Sequence, residues 1–292
     1  MARGHRETGT PGRAARRARH CPPHNHTHQR PVEPPVGFVS VVVPVSVPSV
    51  PGWSFSLYPS AGEGGGCFVS LRQPERSYVA RGRAKDPQRA ATEAGKRAGR
   101  RLRRYCAANG LNRLGTLTYR GEGCHSPQQV RADIGAFFRG LRSGLSGEAL
   151  AYVWVPEWHK TDHGLHVHFA VGQYVPRGLI DAAWGRGFVH IKLLGDLGVG
   201  TGVLGEARRA AGYLSKYVSK TFTGPSAGVP GLHRYDVAQG FQPESIRLHG
   251  RSPDHVIGQA SELLGMAPAR RWSSAGVVGW AAPPAIWAQW GG

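Results

Sequence analysis

The chain has 292 residues, with 37 lysines and arginines against 18 aspartates and glutamates, a formal charge of +19. No apolar run reaches the roughly 18 residues of a membrane helix, which excludes a membrane-spanning protein, and the charge favours a polyanionic partner, nucleic acid first. Cys21, Cys67, Cys106 and Cys124 are too scattered for a zinc finger or the dense disulfide framework of a small secreted domain, and read as free thiols in a reducing cytoplasm.

Residues 1 to about 35 mix Arg, His, Pro and Gly without apolar periodicity and read as a disordered basic arm, in which His24, His26 and His28 form an incidental cluster. The apolar stretch that follows is interrupted by Pro44, Pro48 and Pro51 and reads as a tail, not an export signal. Residues 1–86 are thus assigned to a basic, Pro-rich, disordered region, 87–225 to the domain that carries chemistry, and 226–292 to an extension of unreadable role. From about residue 87 a helix is predicted that ends near Gly110, a residue suited to the left-handed stop position. Its many cations and single acid, Glu93, point to phosphate contact, with Arg97, Arg100, Arg101 and Arg104 as candidate DNA-binding residues.

Residues 111–119 predict a strand, and Ser126-Pro127 a helix start with Val130, Ile134, Phe137, Phe138 and Leu141 as its buried stripe. Residues 150–160 and 164–171 predict a hairpin turning at 160–164. A short helix at 176–185, a strand at 188–194 and a helix at 205–222 follow. This order fits an α+β fold, an antiparallel sheet with its helices packed mainly on one face. Beyond 223 the chain is rich in Gly and Pro, and Trp272, Trp280, Trp287 and Trp290 are expected to pack on a core.

Three constellations carry the chemistry. Strand alternation puts His166 and His168 on one face, with Leu165, Val167, Phe169 and Val171 on the other, so the imidazoles form a ready pair of metal ligands. Glu157 could add a carboxylate, and mixed nitrogen and oxygen donors admit manganese or magnesium. Alternation groups Glu157 with Val153 and Val155, which requires a bulge at Pro156; otherwise His159 or His163 replaces it. In Tyr213-Leu214-Ser215-Lys216-Tyr217-Val218-Ser219-Lys220, helical spacing aligns Tyr213 with Tyr217 and Lys216 with Lys220 beside an apolar stripe at Leu214 and Val218. A phenol ionises near 10, so a nearby ammonium or metal would be needed to make it a nucleophile. Thr116-Leu117-Thr118-Tyr119 reads as a structural strand.

In order, TLTY, then Glu157 with His166-Val167-His168, then the doubled YxxK resemble the three motifs of the HUH endonucleases that initiate rolling-circle replication. The two-tyrosine pattern is similar to that of small single-stranded DNA phages and related bacterial replicons, and the 157–171 and 184–192 stretches resemble initiators of actinobacterial plasmids. The resemblance covers about residues 111–222 and implies an HUH, split βαβ-like fold. It also implies that His166, His168 and Glu157 hold Mn2+ or Mg2+, and that Tyr213 and Tyr217 nick single-stranded origin DNA through a 5′-phosphotyrosine. Lys216 and Lys220 would then assist the tyrosines, and Lys192 would touch the DNA backbone. No GxxxxGK[ST] motif occurs, so unwinding and synthesis would fall to a host helicase and DNA polymerase in the cytoplasm. The same chemistry serves relaxases and transposases, and a non-catalytic repressor of its own origin is the competitor from another class.

Overall fold

In the computed structural model of the chain, which describes residues 51–71, 79–80, 83–193, 202–223 and 232–291, fifteen named elements run in order among those residues. They are β1 (Gly52–Tyr58), β2 (Glu63–Val69), α1 (Pro87–Ala108), β3 (Arg113–Tyr119), α2 (Pro127–Gly144), β4 (Tyr152–Trp158), β5 (Leu165–Val171), α3 (Arg177–Trp184), β6 (Gly187–Leu193), α4 (Gly202–Thr223), β7 (Asp236–Val237), β8 (Ile246–Gly250), α5 (Pro253–Leu264), β9 (Arg270–Ser273) and β10 (Ala285–Gln289). Two antiparallel sheets result, ordered β6-β3-β5-β4-β7 and β8-β1-β2-β10-β9.

The helix ends follow from local chemistry. Asp86 accepts a hydrogen bond from the Arg89 amide at 2.9 Å, and Ser126 accepts one from the Gln129 amide at 3.2 Å. A proline at the first helical position follows each cap, where its missing N–H costs nothing. After α1, Gly110 takes φ +60°, the left-handed conformation expected of it.

The central sheet is apolar on both faces. On one, Leu117, Val167 and Phe169 pack against Val130, Ile134, Phe137, Phe138 and Leu141 of α2 and Trp184 of α3. On the other, Leu114, Val153, Val155 and Ala170 lie under Leu102 and Tyr105 of α1 and Leu214 and Val218 of α4. The α+β class and the antiparallel sheet hold, while the helices divide between the faces instead of gathering on one. Val153, Val155 and Ala170 are the reason: they stand on the same face as the histidines and need a cover of their own.

The second sheet corrects the reading of residues 52–69 as disordered. Trp53, Phe55 and Leu57 alternate with Ser54 and Ser56, and α5 closes their core with Val256, Ile257 and Ala260 against Ile286, Ala288 and Trp290. A Cβ on Gly64 would run into the Phe55 ring, so the glycine-rich sequence of β2 serves close packing. The proposed disorder of residues 1–50 and the cluster at His24, His26 and His28 lie outside the described residues, as does Cys21. Cys67, Cys106 and Cys124 are free.

Buried Glu63 joins this sheet to α1. Its carboxylate accepts from Arg103 at 2.8 and 3.2 Å and from Arg104 at 2.8 Å, and the Arg104 guanidinium lies 4.2 Å over the Tyr58 ring. Arg208 of α4 likewise donates to the carbonyls of Ala61, Gly62, Trp290 and Gly291. No helix among the described residues is long and apolar enough to cross a membrane.

Candidate metal and tyrosine site

The β4–β5 register sets Glu157 directly opposite His166 and Val155 opposite His168. Residues opposite one another on adjacent strands share a face, so the carboxylate and both imidazoles meet without a bulge at Pro156. The parity that groups Glu157 with Val153 and Val155 is correct. That face is covered where the valines lie and meets the flank of α4 where Glu157, His166 and His168 stand.

Glu157 Oε2 lies 3.2 Å from His166 Nε2 and 3.0 Å from His168 Nε2, and the two nitrogens are 3.0 Å apart. Burial first, then the neighbouring His168, pushes the His166 imidazole down to about 4. His168 is also lowered, mainly by burial. Burial raises the Glu157 carboxyl, but hydrogen bonds from Lys220 and His168 outweigh it and hold the group below its ordinary range. Two neutral imidazoles and a carboxylate with donor atoms converging within 4.8 Å can hold a divalent metal.

Thr116 supplies a supporting contact that the sequence reading treated as structural. The β3–β5 register sets Thr116 opposite His168, and its Oγ1 lies 3.1 Å from His168 Nδ1. With Nδ1 donating to this hydroxyl, Nε2 keeps its lone pair for a metal. The alternative ligands stay apart from the cluster. His163 Nε2 hydrogen-bonds the Tyr119 carbonyl at 2.7 Å, and His159 Nδ1 pairs with the Thr161 hydroxyl at 2.7 Å in the exposed turn.

Helix α4 buries Ala207, Ala210, Ala211, Leu214 and Val218, and this stripe turns Tyr213 and Tyr217 toward the cluster. The Tyr217 ring stacks on His168 with centroids 4.0 Å apart, and the Tyr213 ring stands edge-on to His168 at 6.0 Å. The Tyr217 hydroxyl donates to the Tyr213 hydroxyl at 2.7 Å. Burial, then the hydrogen bond to Tyr213, pushes the Tyr217 phenol upward, so it remains a protonated donor. Lys220 Nζ sits 2.8 Å from Glu157 Oε1 and 5.0 Å from the Tyr217 ring centroid.

The doubled YxxK is not two equal halves. Lys220 joins the cluster, while Lys216 is exposed and among the described residues forms no ion pair with it. On edge strand β6, Phe188, His190 and Lys192 pair with Thr118, Thr116 and Leu114 and thus share the face of the cluster. Lys192 and His190 are exposed, and Phe188 is 72% exposed. Phe188 was not singled out from sequence, because only the register shows that an aromatic ring lies uncovered on this face.

The α1 cations separate into two groups. Arg97, Arg100 and Arg101 are exposed, whereas Arg104 is held between Glu63 and Tyr58. Its assignment as a DNA contact is therefore corrected: the guanidinium neutralises a carboxylate that would otherwise be buried unpaired.

Residues 112–222 match the family model of the replication-associated protein ORF2, as a rolling-circle initiator would. The matched segment runs from β3 to the end of α4 and contains Thr116, Glu157, His166, His168, Tyr213 and Tyr217. The match bears out the resemblance and ties this segment to DNA replication. Comparison with curated proteins and with solved structures gives no match.

Proposed function

We propose that the protein initiates and ends rolling-circle replication by nicking and rejoining single-stranded origin DNA through a tyrosine-linked intermediate. The observation that carries this reading is the meeting of Tyr213 and Tyr217 with Glu157, His166 and His168 within the replication-associated segment. A manganese or magnesium ion held by Glu157, His166 and His168 would supply Lewis acidity at the scissile phosphate.

Tyr213 is the first nucleophile in this account. It is the more exposed phenol, at 40%, and it accepts the hydrogen bond from Tyr217, an arrangement that stabilises charge on its oxygen. The Tyr213 oxygen forms a bond to phosphorus as the bond to the preceding nucleotide's 3′ oxygen breaks. That oxygen takes a proton to become the 3′-hydroxyl that primes synthesis. The phosphodiester is exchanged for a phosphotyrosine and not hydrolysed, so attack by a 3′-hydroxyl reseals the strand without ATP. Tyr217 serves the second cleavage, and Lys220 balances the charge of Glu157 beside it.

The DNA path follows the open half of the central sheet. Phe188 offers a face for a base near the cleaved phosphate, and Lys192 meets the backbone. Lys216, Arg97, Arg100 and Arg101 are the further phosphate contacts, and the host helicase and DNA polymerase act on the opened strand.

The test uses purified protein, manganese and labelled single-stranded origin DNA on a denaturing gel. A protein-linked band should appear that a chelator abolishes and that the double Tyr213→Phe, Tyr217→Phe variant lacks. Tight binding with no adduct would replace this reading with that of a repressor, and free fragments without adduct with water-based hydrolysis.

A further inference from the structure

A furrow of about 490 Å³ runs between α1, α4 and the second sheet, away from the metal cluster. Small residues keep it open: Gly95 and Gly99 of α1 face Phe222 and Ser215 of α4. Lys96, Arg100 and Arg103 line one side, and Trp272 and Trp287 the other. The β9–β10 register sets these two tryptophans side by side on one sheet face. Trp272 is 40% exposed, and the Arg103 guanidinium, held by Glu63, lies 5.4 Å from the Trp287 ring centroid.

We infer that this furrow is a second DNA-binding site that takes a single strand of nucleic acid, with a base against Trp272 or Trp287 and phosphates on Lys96 and Arg100. The inference rests on the proposed reading of the protein as acting on single-stranded DNA. Aromatic side chains beside cations are the elements of single-strand binding, and base faces are available only outside a duplex stack. Arg100 forms no ion pair among the described residues, and burial, then repulsion from Arg104, opposes its charge. An anion would relieve that repulsion. The Arg-rich N-terminal stretch carries the wrong charge to fill the furrow.

The furrow also connects to the tyrosines. Helical periodicity puts Tyr213 and Tyr217 on one flank of the buried Leu214 and Val218 stripe and Ser215 and Ser219 on the other, with exposed Lys216 on the crest between. A strand leaving the tyrosines crosses one helix width, about 10 Å, past Lys216 to enter the furrow.

Fluorescence anisotropy in chelator, with labelled oligothymidylate and a duplex of the same length, tests this without cleavage. Trp272→Ala should weaken single-strand binding about tenfold or more and change duplex binding little. Trp272→Phe should restore most of the loss, and Arg100→Ala should lower the salt slope by about one. Unchanged single-strand binding by Trp272→Ala, or equal losses on both DNAs, would overturn the inference. A second readout on the unaltered protein is photo-cross-linking of a 5-bromodeoxyuridine oligonucleotide. Adducts on Trp272 or Trp287 support the furrow, and adducts confined to the central sheet refute it. Because cleavage is blocked throughout, failure of the furrow leaves the nicking reading intact, and failure of nicking leaves these outcomes readable.

Discussion

The Tyr217 hydroxyl donates to the Tyr213 hydroxyl at 2.7 Å while its ring stacks on His168, so one side chain links the second phenol to a metal-ligating imidazole. The pair is therefore asymmetric. Tyr213 receives a hydrogen bond that strengthens as its oxygen gains charge, and Tyr217 is the group that provides it.

The asymmetry separates the two single variants. Tyr213→Phe should abolish the first nick, whereas Tyr217→Phe should still form the adduct at a rate lowered about 10- to 100-fold, the worth of a hydrogen bond to a charged oxygen. It should fail to complete the second transfer. Single-turnover nicking with each variant checks this, and the reverse order of severity would exchange the two roles.

Thr116 should matter for metal affinity although it is not a ligand. Thr116→Val removes the hydroxyl that partners His168 Nδ1, and metal binding measured by titration calorimetry should weaken about 10- to 100-fold. Glu157→Gln and His168→Ala, which remove donor atoms themselves, should weaken it further. Thr116→Ser should retain most of the affinity.

Acid should destabilise the metal-free protein through His166. Its folded value of about 4 lies below the ordinary 6.5, so between these the unfolded chain binds more protons. The stability is complete above about pH 6.5 and declines as pH falls toward 4, by about 3 kcal/mol from this residue. His168, lowered in the same direction, adds to the slope. Urea unfolding in chelator across this range should show the decline, and His166→Asn should flatten it.

Glu63 is a structural prediction. Glu63→Ala leaves Arg103 and Arg104 without their carboxylate in a part-buried junction and should cost about 3 kcal/mol or more in urea unfolding. Arg104→Ala should destabilise by less, because Arg103 still pairs with Glu63.

Much of the central domain was legible in sequence because its signals are local. The caps at Ser126 and Gly110, the stripe from Val130 to Leu141 and the alternation of Leu165 to Val171 each fix an element without distant partners. The two histidines and the paired tyrosines were readable on the same grounds. Glu157 was less so, since parity within β4 says nothing about which neighbour lies opposite; the β4–β5 register resolves it. Thr116 and Phe188 depend on pairing across β3, β5 and β6, and a single strand carries no record of that. The second sheet was least visible. Its β2 strand is Glu-Gly-Gly-Gly-Cys-Phe-Val, without alternation, and its partners β8, β9 and β10 come from the far end of the chain.

Peptide mapping of the covalent adduct tests the central claim most directly. The protein is incubated with manganese and origin single strand, digested with nuclease and trypsin, and its peptides are read by mass spectrometry. The account predicts a nucleotide phosphate on Tyr213, within the tryptic peptide that runs from Ala210 to Lys216, with Tyr217 modified when Tyr213 is replaced by phenylalanine. A phosphonucleotide on a residue outside α4, or cleaved DNA with no modified peptide, would contradict it.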